Sequence, residues 1–338
     1  MGQLRMSDLV DGYGRVHRDL RVSVTDRCNL RCTYCMPADF ADWLPGEHLL
    51  TVDELITVID VAVEQGITGI RLTGGEPLLR PDIVDIVRRI RDLTPTPSIA
   101  LTTNGLRLVD LAGPLAAAGL DRVNISLDTL DRDRFRAMTF RDRHDDVLAG
   151  IEAAKRAGLE PVKVNAVLMR GVNDDEAIPL LRHALEHGWH LRFIEQMPLD
   201  AQGSWDRSAM VSAEETYALL ASAYSLTPAP TRGSAPAEEF LVDGGPATVG
   251  IIASVSKPFC SACDRLRLTA DGQVRNCLFA RDETDLRSTL RDPTLTSAQV
   301  RGRIAALIRE STAAKLPGHG INDPMFIQPA RPMSAIGG

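Results

Sequence analysis

The chain has 338 residues, of which 44% are apolar and 25% charged, and its formal net charge is −7. This composition is typical of a soluble globular protein with one large core, and the negative charge argues against a general nucleic-acid binder, which needs a broad basic surface. The sequence has no run of 18 or more apolar residues, and the first 20 residues lack the apolar stretch of a secretion signal. We therefore expect a cytoplasmic protein without a membrane partner.

Short β-rich runs alternate with amphipathic segments between residues 20 and 225, which is typical of βα units. A helix is expected from residue 52, because Thr51 and Glu54 have the spacing of a capping box and Gly66 supplies a stop. Six strands are predicted, near residues 20–25, 68–73, 98–103, 121–127, 161–169 and 190–197. We expect an α/β fold in which a parallel sheet curls into an incomplete (β/α)6 barrel similar to a TIM barrel.

The C-terminal third of the sequence has a different pattern. A stretch rich in Pro, Ala and Ser, near residues 226–237, interrupts the alternation, and a strand-like run, a glycine turn and a helical segment (283–312) follow. The sequence thus predicts an N-terminal extension (1–19), a partial barrel (20–225), a small C-terminal α+β module (226–315) and an irregular tail (316–338).

Three cysteines follow the first predicted strand with the spacing CX3CX2C: Cys28, Cys32 and Cys35. Loops at this end of a βα barrel carry the active site. In a reducing compartment, six cysteines in one chain are more typical of metal ligands or catalytic groups than of disulfides. Thiolates suit iron-sulfur clusters or zinc, and three of them leave one metal position open. Zinc or three unrelated cysteines is the alternative.

A second triplet, Cys260, Cys263 and Cys277, has the spacing CX2CX13C. Again the local sequence supplies only three ligands, because no histidine lies between His190 and His319. Zinc is the main alternative here, since CX2C is common in zinc sites. The two triplets together use all six cysteines of the chain.

Cationic residues alternate with apolar residues in several predicted strands. The pattern occurs at Arg21, Arg71, Lys163, Arg192, Arg265 and Arg267. A solvated sheet face would explain it, but helices cover the outside of a barrel, so we expect these side chains to project into the lumen. Several cations around one cavity require a polyanion, and the forked donors of arginine fit phosphate oxygens. The sequence therefore predicts a polyphosphate substrate.

The first triplet, with an aromatic residue before its last cysteine, resembles the radical S-adenosylmethionine (SAM) superfamily, as does the Gly74-Gly75-Glu76-Pro77 segment. This resemblance implies that the first triplet holds a [4Fe-4S] cluster whose open iron binds SAM. The reduced cluster would cleave SAM to methionine and a 5′-deoxyadenosyl radical. The implied SAM contacts are Tyr34, Gly75, Ser126 and Met197.

The second triplet with its interposed Arg-Leu-Arg-Leu and the terminal Gly337-Gly338 resemble the GTP 3′,8-cyclase family over nearly the whole chain. The resemblance implies a lyase that converts GTP to (8S)-3′,8-cyclo-7,8-dihydroguanosine 5′-triphosphate, the first step of molybdenum cofactor (molybdopterin) biosynthesis. It implies a second [4Fe-4S] cluster on Cys260, Cys263 and Cys277 that binds the guanine. The implied GTP contacts are Arg21, Arg71, Thr102, Lys163, Arg192, Arg265 and Arg267, and the implied catalytic residues are Arg265, Arg267, Gly337 and Gly338.

The resemblance also implies an electron donor and a downstream partner, cyclic pyranopterin monophosphate synthase, and leaves a homodimer open. One departure is Asp264, where the family more often has asparagine, and residues 1–14 carry no known motif. An alternative is a radical SAM peptide-modifying enzyme with an auxiliary cluster, although a peptide needs no concentration of cations. A further alternative is a non-enzymatic electron carrier or a zinc-stabilised binding protein.

Overall fold

A computed structural model describes residues 8–200, 202–230 and 233–337 of the chain. The strands are β1 (Asp19–Ser23), β2 (Gly69–Thr73), β3 (Ser98–Thr103), β4 (Arg122–Ser126), β5 (Lys163–Val167), β6 (His190–Ile194), β7 (Leu226–Pro228), β8 (Glu238–Val242), β9 (Thr248–Ile252), β10 (Arg265–Leu268), β11 (Gln273–Arg275) and β12 (Thr284–Asp285). The helices are α1 (Val52–Glu64), α2 (Ile83–Arg91), α3 (Leu108–Ala117), α4 (Arg132–Thr139), α5 (His144–Arg156), α6 (Ala177–His187), α7 (Ala213–Ala221), α8 (Arg287–Leu290), α9 (Ser297–Ala313) and α10 (Met333–Ile336).

All twelve strands belong to one sheet with the order β12-β11-β10-β1-β2-β3-β4-β5-β6-β9-β8-β7. Strands β1 to β6 are parallel neighbours, which confirms the six predicted βα strands. The parallel part is wider than predicted, because β10 pairs parallel with β1 and β9 pairs parallel with β6. The two C-terminal strands therefore extend the barrel wall on both sides.

The sheet has an apolar face and a polar face, as the alternation of its residues predicts. In β1, Leu20 and Val22 are buried in the hydrophobic core, whereas Arg21 between them lines a cavity. That cavity is lined from all eight parallel strands, so the sheet curls around it into a partial barrel with the helices outside.

The helix signals agree with the structure in most places. Thr51 and Glu54 form the capping box of α1, and Gly66 has a φ of +92°, the left-handed backbone expected of a glycine stop. The predicted helical segment 283–312 was wrong at its start, where β12 lies, and the remainder is divided into α8 and the longer α9; the tail contains the short helix α10. Within the described ranges, none of the helices combines the length and the apolarity that crossing a bilayer requires.

Candidate active site

The first cysteine triplet lies on the loop after β1, at the carboxyl end of the barrel strands. The amide of Cys35 donates to the carbonyl of Cys32 (2.9 Å), and the Arg31 guanidinium donates to the carbonyls of Cys28 (2.8 Å) and Leu30 (2.9 Å). These bonds order the loop without using the sulfur atoms. All three cysteines are free, as a metal site requires.

Burial dominates the electrostatics of the first triplet. It raises the pKa of the Cys28 thiol to about 11 and that of Cys35 to about 12, and it raises the pKa of Cys32 well above its usual value. In each case the neighbouring cysteines or carboxylates also disfavour a thiolate. Three half-buried thiolates become stable here when a cationic metal group neutralises them, so the donor set fits a cluster.

The spacing of the sulfur atoms distinguishes between the two metals that the sequence leaves open. All six cysteines lie in the described ranges, and in neither triplet are all three Sγ atoms within 4.8 Å of one another. Tetrahedral zinc, with bonds of about 2.3 Å to sulfur, would bring its ligands to about 3.8 Å from each other. In a four-iron cluster each thiolate binds a different iron, so wider spacing is needed. Both triplets fit clusters better than zinc.

The glycine segment after β2 packs against the loop of the first triplet. The amide of Gly75 donates to the carbonyl of Thr25 (2.8 Å), and that of Glu76 donates to the carbonyl of Arg27 (2.7 Å). A Cβ on Gly75 would overlap the carbonyls of Asp26 and Arg27. Glycine is therefore required at position 75 because its backbone packs directly against the loop of the first triplet.

Two buried carboxylates that the sequence analysis did not assign organise this end of the barrel. Burial raises the pKa of Glu76 to about 7, although its side chain accepts hydrogen bonds from Thr103 and from the amides of Leu78 and Asn104. Asp128 accepts a hydrogen bond from the Tyr34 hydroxyl (2.7 Å), which fixes the aromatic ring beside the first triplet.

The second triplet lies between two cavities. Cys260, Cys263 and Cys277 line the cavity inside the barrel, which we call the barrel cavity, and also an outer cleft formed largely by residues 276–284 and 311–330. Although burial opposes it, the charges of Lys315 and Arg265 lower the pKa of Cys263, whereas burial raises that of Cys260. The two thiols thus have different electrostatic surroundings.

The predicted cations meet inside the barrel. A second cavity at the amino ends of the strands, which we call the basic cavity, shares six lining residues with the barrel cavity, Arg21, Arg71 and Arg192 among them. The cations of the basic cavity are Arg21, Arg71, Arg122, Lys163, Arg192 and Arg265, against the acidic residues Asp19, Glu239 and Asp264. The excess of positive charge fits a polyanion.

Burial and mutual repulsion destabilise the charged forms of these cations. Burial is the larger cause, and together with the neighbouring arginines it lowers the pKa of Arg21 to about 9 and that of Lys163 to about 8. The pKa values of Arg71 and Arg192 are lowered to about 10, again mainly by burial. A bound polyphosphate would remove this electrostatic penalty.

Arg122 is a cation that the sequence analysis missed. It begins β4 and lines the basic cavity with Lys163, which begins β5. Two asparagines, Asn124 and Asn165, were also missed; their side-chain oxygens accept hydrogen bonds from Arg192 at 3.1 and 2.9 Å. The signal was present, because Arg122 and Asn124 alternate with Val123 and Ile125 in the same strand.

Some of the remaining predicted site residues line one of the two cavities, and others line neither. Thr102, Met197 and Arg267 line the barrel cavity. Ser126 ends β4, and neither Tyr34 nor Gly75 lines either cavity. Lys163 lines the basic cavity and not the barrel cavity, and Asp264 lines the basic cavity as well.

The C-terminal tail enters the site. The backbone amide of Ser334 donates a hydrogen bond to the Cys35 thiol, and the carbonyl of Gly337 accepts one from Arg267. The tail is thus in contact with both the first-triplet loop and β10. The prediction for Gly338 lies outside the described residues.

The sequence of the chain matches two family profiles: the Radical SAM superfamily over residues 22–184 and Molybdenum Cofactor Synthesis C over residues 189–321. It is 59% identical to the GTP 3′,8-cyclase of Streptomyces coelicolor, over 98% of this chain and 96% of that one. It is 56% identical to GTP 3′,8-cyclase 2 of Mycobacterium tuberculosis, over 98% of this chain and 92% of the relative. The crystal structure of Streptococcus suis SuiB is similar in fold, with a TM-score of 0.57 at 13% identity, over 91% of this chain and 68% of that one.

Proposed function

The chain belongs to the GTP 3′,8-cyclase family of radical SAM enzymes, and on this premise we propose that GTP lies along the barrel axis between its two cysteine triplets. The enzyme uses SAM and iron-sulfur clusters, and its reaction forms a bond between ribose C3′ and guanine C8. The observation that carries the proposal is the continuity of the barrel cavity with the basic cavity. The second triplet lines the barrel cavity, six cations line the basic cavity, and Arg265, which lines both, lies 3.8 Å from the Sγ atom of Cys263.

The first triplet and its surroundings bind SAM in this proposal. Cys28, Cys32 and Cys35 hold the first cluster, and Tyr34, Gly75, Ser126 and Met197 contact SAM. When bound, the reduced cluster and SAM supply the 5′-deoxyadenosyl radical that abstracts hydrogen from C3′ of the ribose. The hydrogen bond from Tyr34 to Asp128 holds the ring in one orientation. The Gly75 backbone is fixed by its bond to Thr25.

The cations fix the triphosphate at the amino ends of the strands. Arg21, Arg71, Lys163, Arg192 and Arg265 bind it, and we add Arg122 to this group because it lines the same cavity. Arg192 is held in place by its bonds to Asn124 and Asn165. A highly reactive carbon radical attacks whichever C–H bond is near, so anchoring the substrate at the triphosphate decides which hydrogen is removed.

The other end of the nucleotide is fixed by the second cluster. Cys260, Cys263 and Cys277 hold that cluster, and the guanine lies beside it in the barrel cavity. Thr102 and Arg267 complete the cavity wall. Arg265, Arg267 and Gly337 lie around the reacting ribose in this proposal, and the family resemblance adds Gly338 to the catalytic residues. The ribose is thereby held between two anchored ends.

The assay that tests this function follows 5′-deoxyadenosine and the cyclised nucleotide after anaerobic addition of GTP, SAM and dithionite. We expect about eight irons per chain, from two four-iron clusters. Protein that contains both clusters and consumes no GTP would contradict the function. Stoichiometric zinc without acid-labile sulfide would contradict the metal assignment.

Calorimetry with GTP distinguishes this function from peptide modification. The double variant Arg265→Ala with Arg267→Ala should lose GTP binding, because both guanidiniums line the barrel cavity. Arg88→Ala is the matched control, since Arg88 lies on the exposed face of α2 and pairs with Asp85 at 3.1 Å. Equal affinities of the double variant and the control would favour a substrate other than GTP.

The division of the chain and its partners are further parts of the proposal. Residues 20–225 supply the six central strands of the SAM-binding barrel, residues 226–315 add β9 and β10 to its wall and carry the second cluster, and residues 316–338 close the site. Formation of the radical consumes one electron from an external donor, and the cyclised nucleotide passes to cyclic pyranopterin monophosphate synthase. We place the enzyme in the cytoplasm, where both reactants occur. Light scattering of the anaerobic holoenzyme would show whether it is a homodimer.

A further inference from the structure

Lys315 lies just beyond the end of α9 and is almost completely buried, with 4% of its surface exposed. Its ammonium donates to the carbonyl of Arg265 (2.7 Å) and to the Sγ atom of Cys263 (3.5 Å). Lys315 lines the outer cleft and does not line the barrel cavity. It therefore approaches the second triplet from the side opposite to the substrate.

The charge of Lys315 has no carboxylate to neutralise it. Among the residues that the structure describes, no ion pair joins Lys315 to an acidic side chain, and the anionic groups that act on it are the sulfurs of Cys263 and Cys277. The charge of Arg15 also acts on it, in the opposite direction. Burying an unpaired ammonium costs free energy. We therefore expect an anionic group beside Lys315, where the sulfurs of the second triplet lie.

Arg15 fixes the segment that follows Lys315. Its guanidinium donates to the carbonyls of Cys260 (2.7 Å), Leu316 (2.6 Å) and Pro317 (3.2 Å). Asp11 accepts a hydrogen bond from the same guanidinium at 2.5 Å. The N-terminal segment thus ties the Cys260 turn to the chain beside Lys315, which leaves the ammonium little freedom to turn away from Cys263.

We propose that Lys315 is a positioning residue for the second cluster, which it stabilises and tunes through a charge-assisted N–H···S hydrogen bond to Cys263. This role rests on the proposed function, because it takes Cys260, Cys263 and Cys277 as cluster ligands. A cluster on three thiolates becomes more negative when it accepts an electron. Hydrogen bonds to sulfur and a nearby positive charge favour that reduced form, so Lys315 raises the reduction potential of the second cluster.

The test isolates the second cluster in the full-length chain. The variant with Cys28, Cys32 and Cys35 all changed to Ala removes the ligands of the first cluster, so that iron content and the EPR signal report the second cluster alone. Lys315→Met, Lys315→Arg and Lys257→Met are then compared in this background. Lys257 is the matched control, because 76% of its side chain is exposed and its carboxylate partner Glu238 is 3.8 Å away.

We expect Lys315→Met to keep about four irons and to lower the midpoint potential by about 59 mV, a tenfold change in the one-electron equilibrium. Lys315→Arg should restore most of that difference, and Lys257→Met should not change the potential. A second supporting outcome is that Lys315→Met loses its iron while Lys315→Arg retains it. That result would also support the proposal, because it would show that the second cluster needs a cation at this position.

Two results would overturn the role of Lys315 while leaving the cluster assignment intact. One is an unchanged potential in Lys315→Met at full iron content. The other is equal loss of iron in Lys315→Met and Lys315→Arg, which would show a purely steric role. A background variant that holds no iron before Lys315 is changed would overturn the cluster assignment itself, and the two failures are thus distinguishable.

Discussion

Arg267 in β10 donates a hydrogen bond to the backbone carbonyl of Gly337, 70 residues further along the chain. Gly337 is buried, and its backbone is left-handed, with a φ of +71°. A Cβ there would lie 2.7 Å from the Cγ2 atom of Thr73 and 3.1 Å from the Cβ atom of Ser23. The tail can therefore contact Arg267 only because this residue has no side chain.

Substitution of Gly337 should impair turnover and leave the clusters intact. We expect Gly337→Ala to lower kcat about tenfold or more, because about 1–2 kcal/mol of backbone strain, one steric overlap and one tight contact displace the tail from Arg267. Gly171→Ala is the matched control, since Gly171 has a φ of +70° with nothing within 4 Å of its added Cβ. Similar rates for the two alanine variants would contradict a specific role for the tail.

A second prediction concerns the anchor of the tail. Arg331 donates to both carboxylate oxygens of Asp271, at 3.0 and 2.8 Å, and it also pairs with Glu283 at 2.9 Å. We expect Arg331→Met to increase amide hydrogen exchange in residues 325–337 and to lower kcat by about tenfold, because breaking this half-buried bidentate pair removes the cation that binds Asp271, whereas Glu283 keeps its pair with Arg275. Arg303→Met, at an exposed pair 3.8 Å from Asp292, should change neither quantity.

Features that depend on residues close together in the chain could be predicted from the sequence. The strands, the capping box of α1 and the inward cations were predictable, because alternation and capping depend on residues close in the chain. The parallel pairing of β9 and β10 with the barrel was not, since such pairing joins segments distant in sequence. The contact of Arg15 with Cys260, across 245 residues, has no local signature for the same reason.

Arg122 lies in a strand whose alternation of polar and apolar residues was sufficient to predict that its side chain faces the lumen. Arg122 follows Asp121, as Arg265 follows Asp264, so a charged neighbour on one side does not exclude a lumen cation. The face of β4 is nevertheless set by Val123 and Ile125, which are buried on the outer side of the sheet. A search based on the alternation within each strand would have found Arg122 together with Asn124.

The N-terminal segment should respond to pH through His17. His17 is completely buried, and burial, assisted by the charge of Lys315, lowers its pKa to about 4 from an ordinary value of 6.5. The unfolded segment therefore binds more protons than the folded one between these values, so stability decreases as the pH falls from 6.5 towards 4. Lowering the pH from 7.5 to 5.5 should cost about 1.4 kcal/mol, a roughly tenfold loss of protection.

Hydrogen exchange of the holoenzyme measures this effect at the bonds of the segment. The relevant amides are those of His17, which donates to Leu9, and Asp11, which donates to Arg15. Protection factors, which correct for the intrinsic rate at each pH, should fall in the wild type and stay constant in His17→Gln. Equal pH dependence in the two proteins would show that another group titrates in this segment.

The last prediction concerns Gly250, which faces Arg192 across the pairing of β9 with β6. A Cβ on Gly250 would lie 2.8 Å from Arg192 Cγ and 3.1 Å from Ala237 Cβ, so Gly250→Ala should push the arginine away from Asn165 and Asn124. We expect GTP to bind about tenfold more weakly, which corresponds to about 1.4 kcal/mol, the loss of a charge-assisted interaction with the triphosphate. Gly302→Ala in α9, with nothing within 4 Å, is the control for calorimetry. The substitution adds one methyl group and removes no charge. Weaker GTP binding with intact clusters would therefore assign the effect to the position of Arg192. Unchanged GTP binding would exclude that arginine from the triphosphate site.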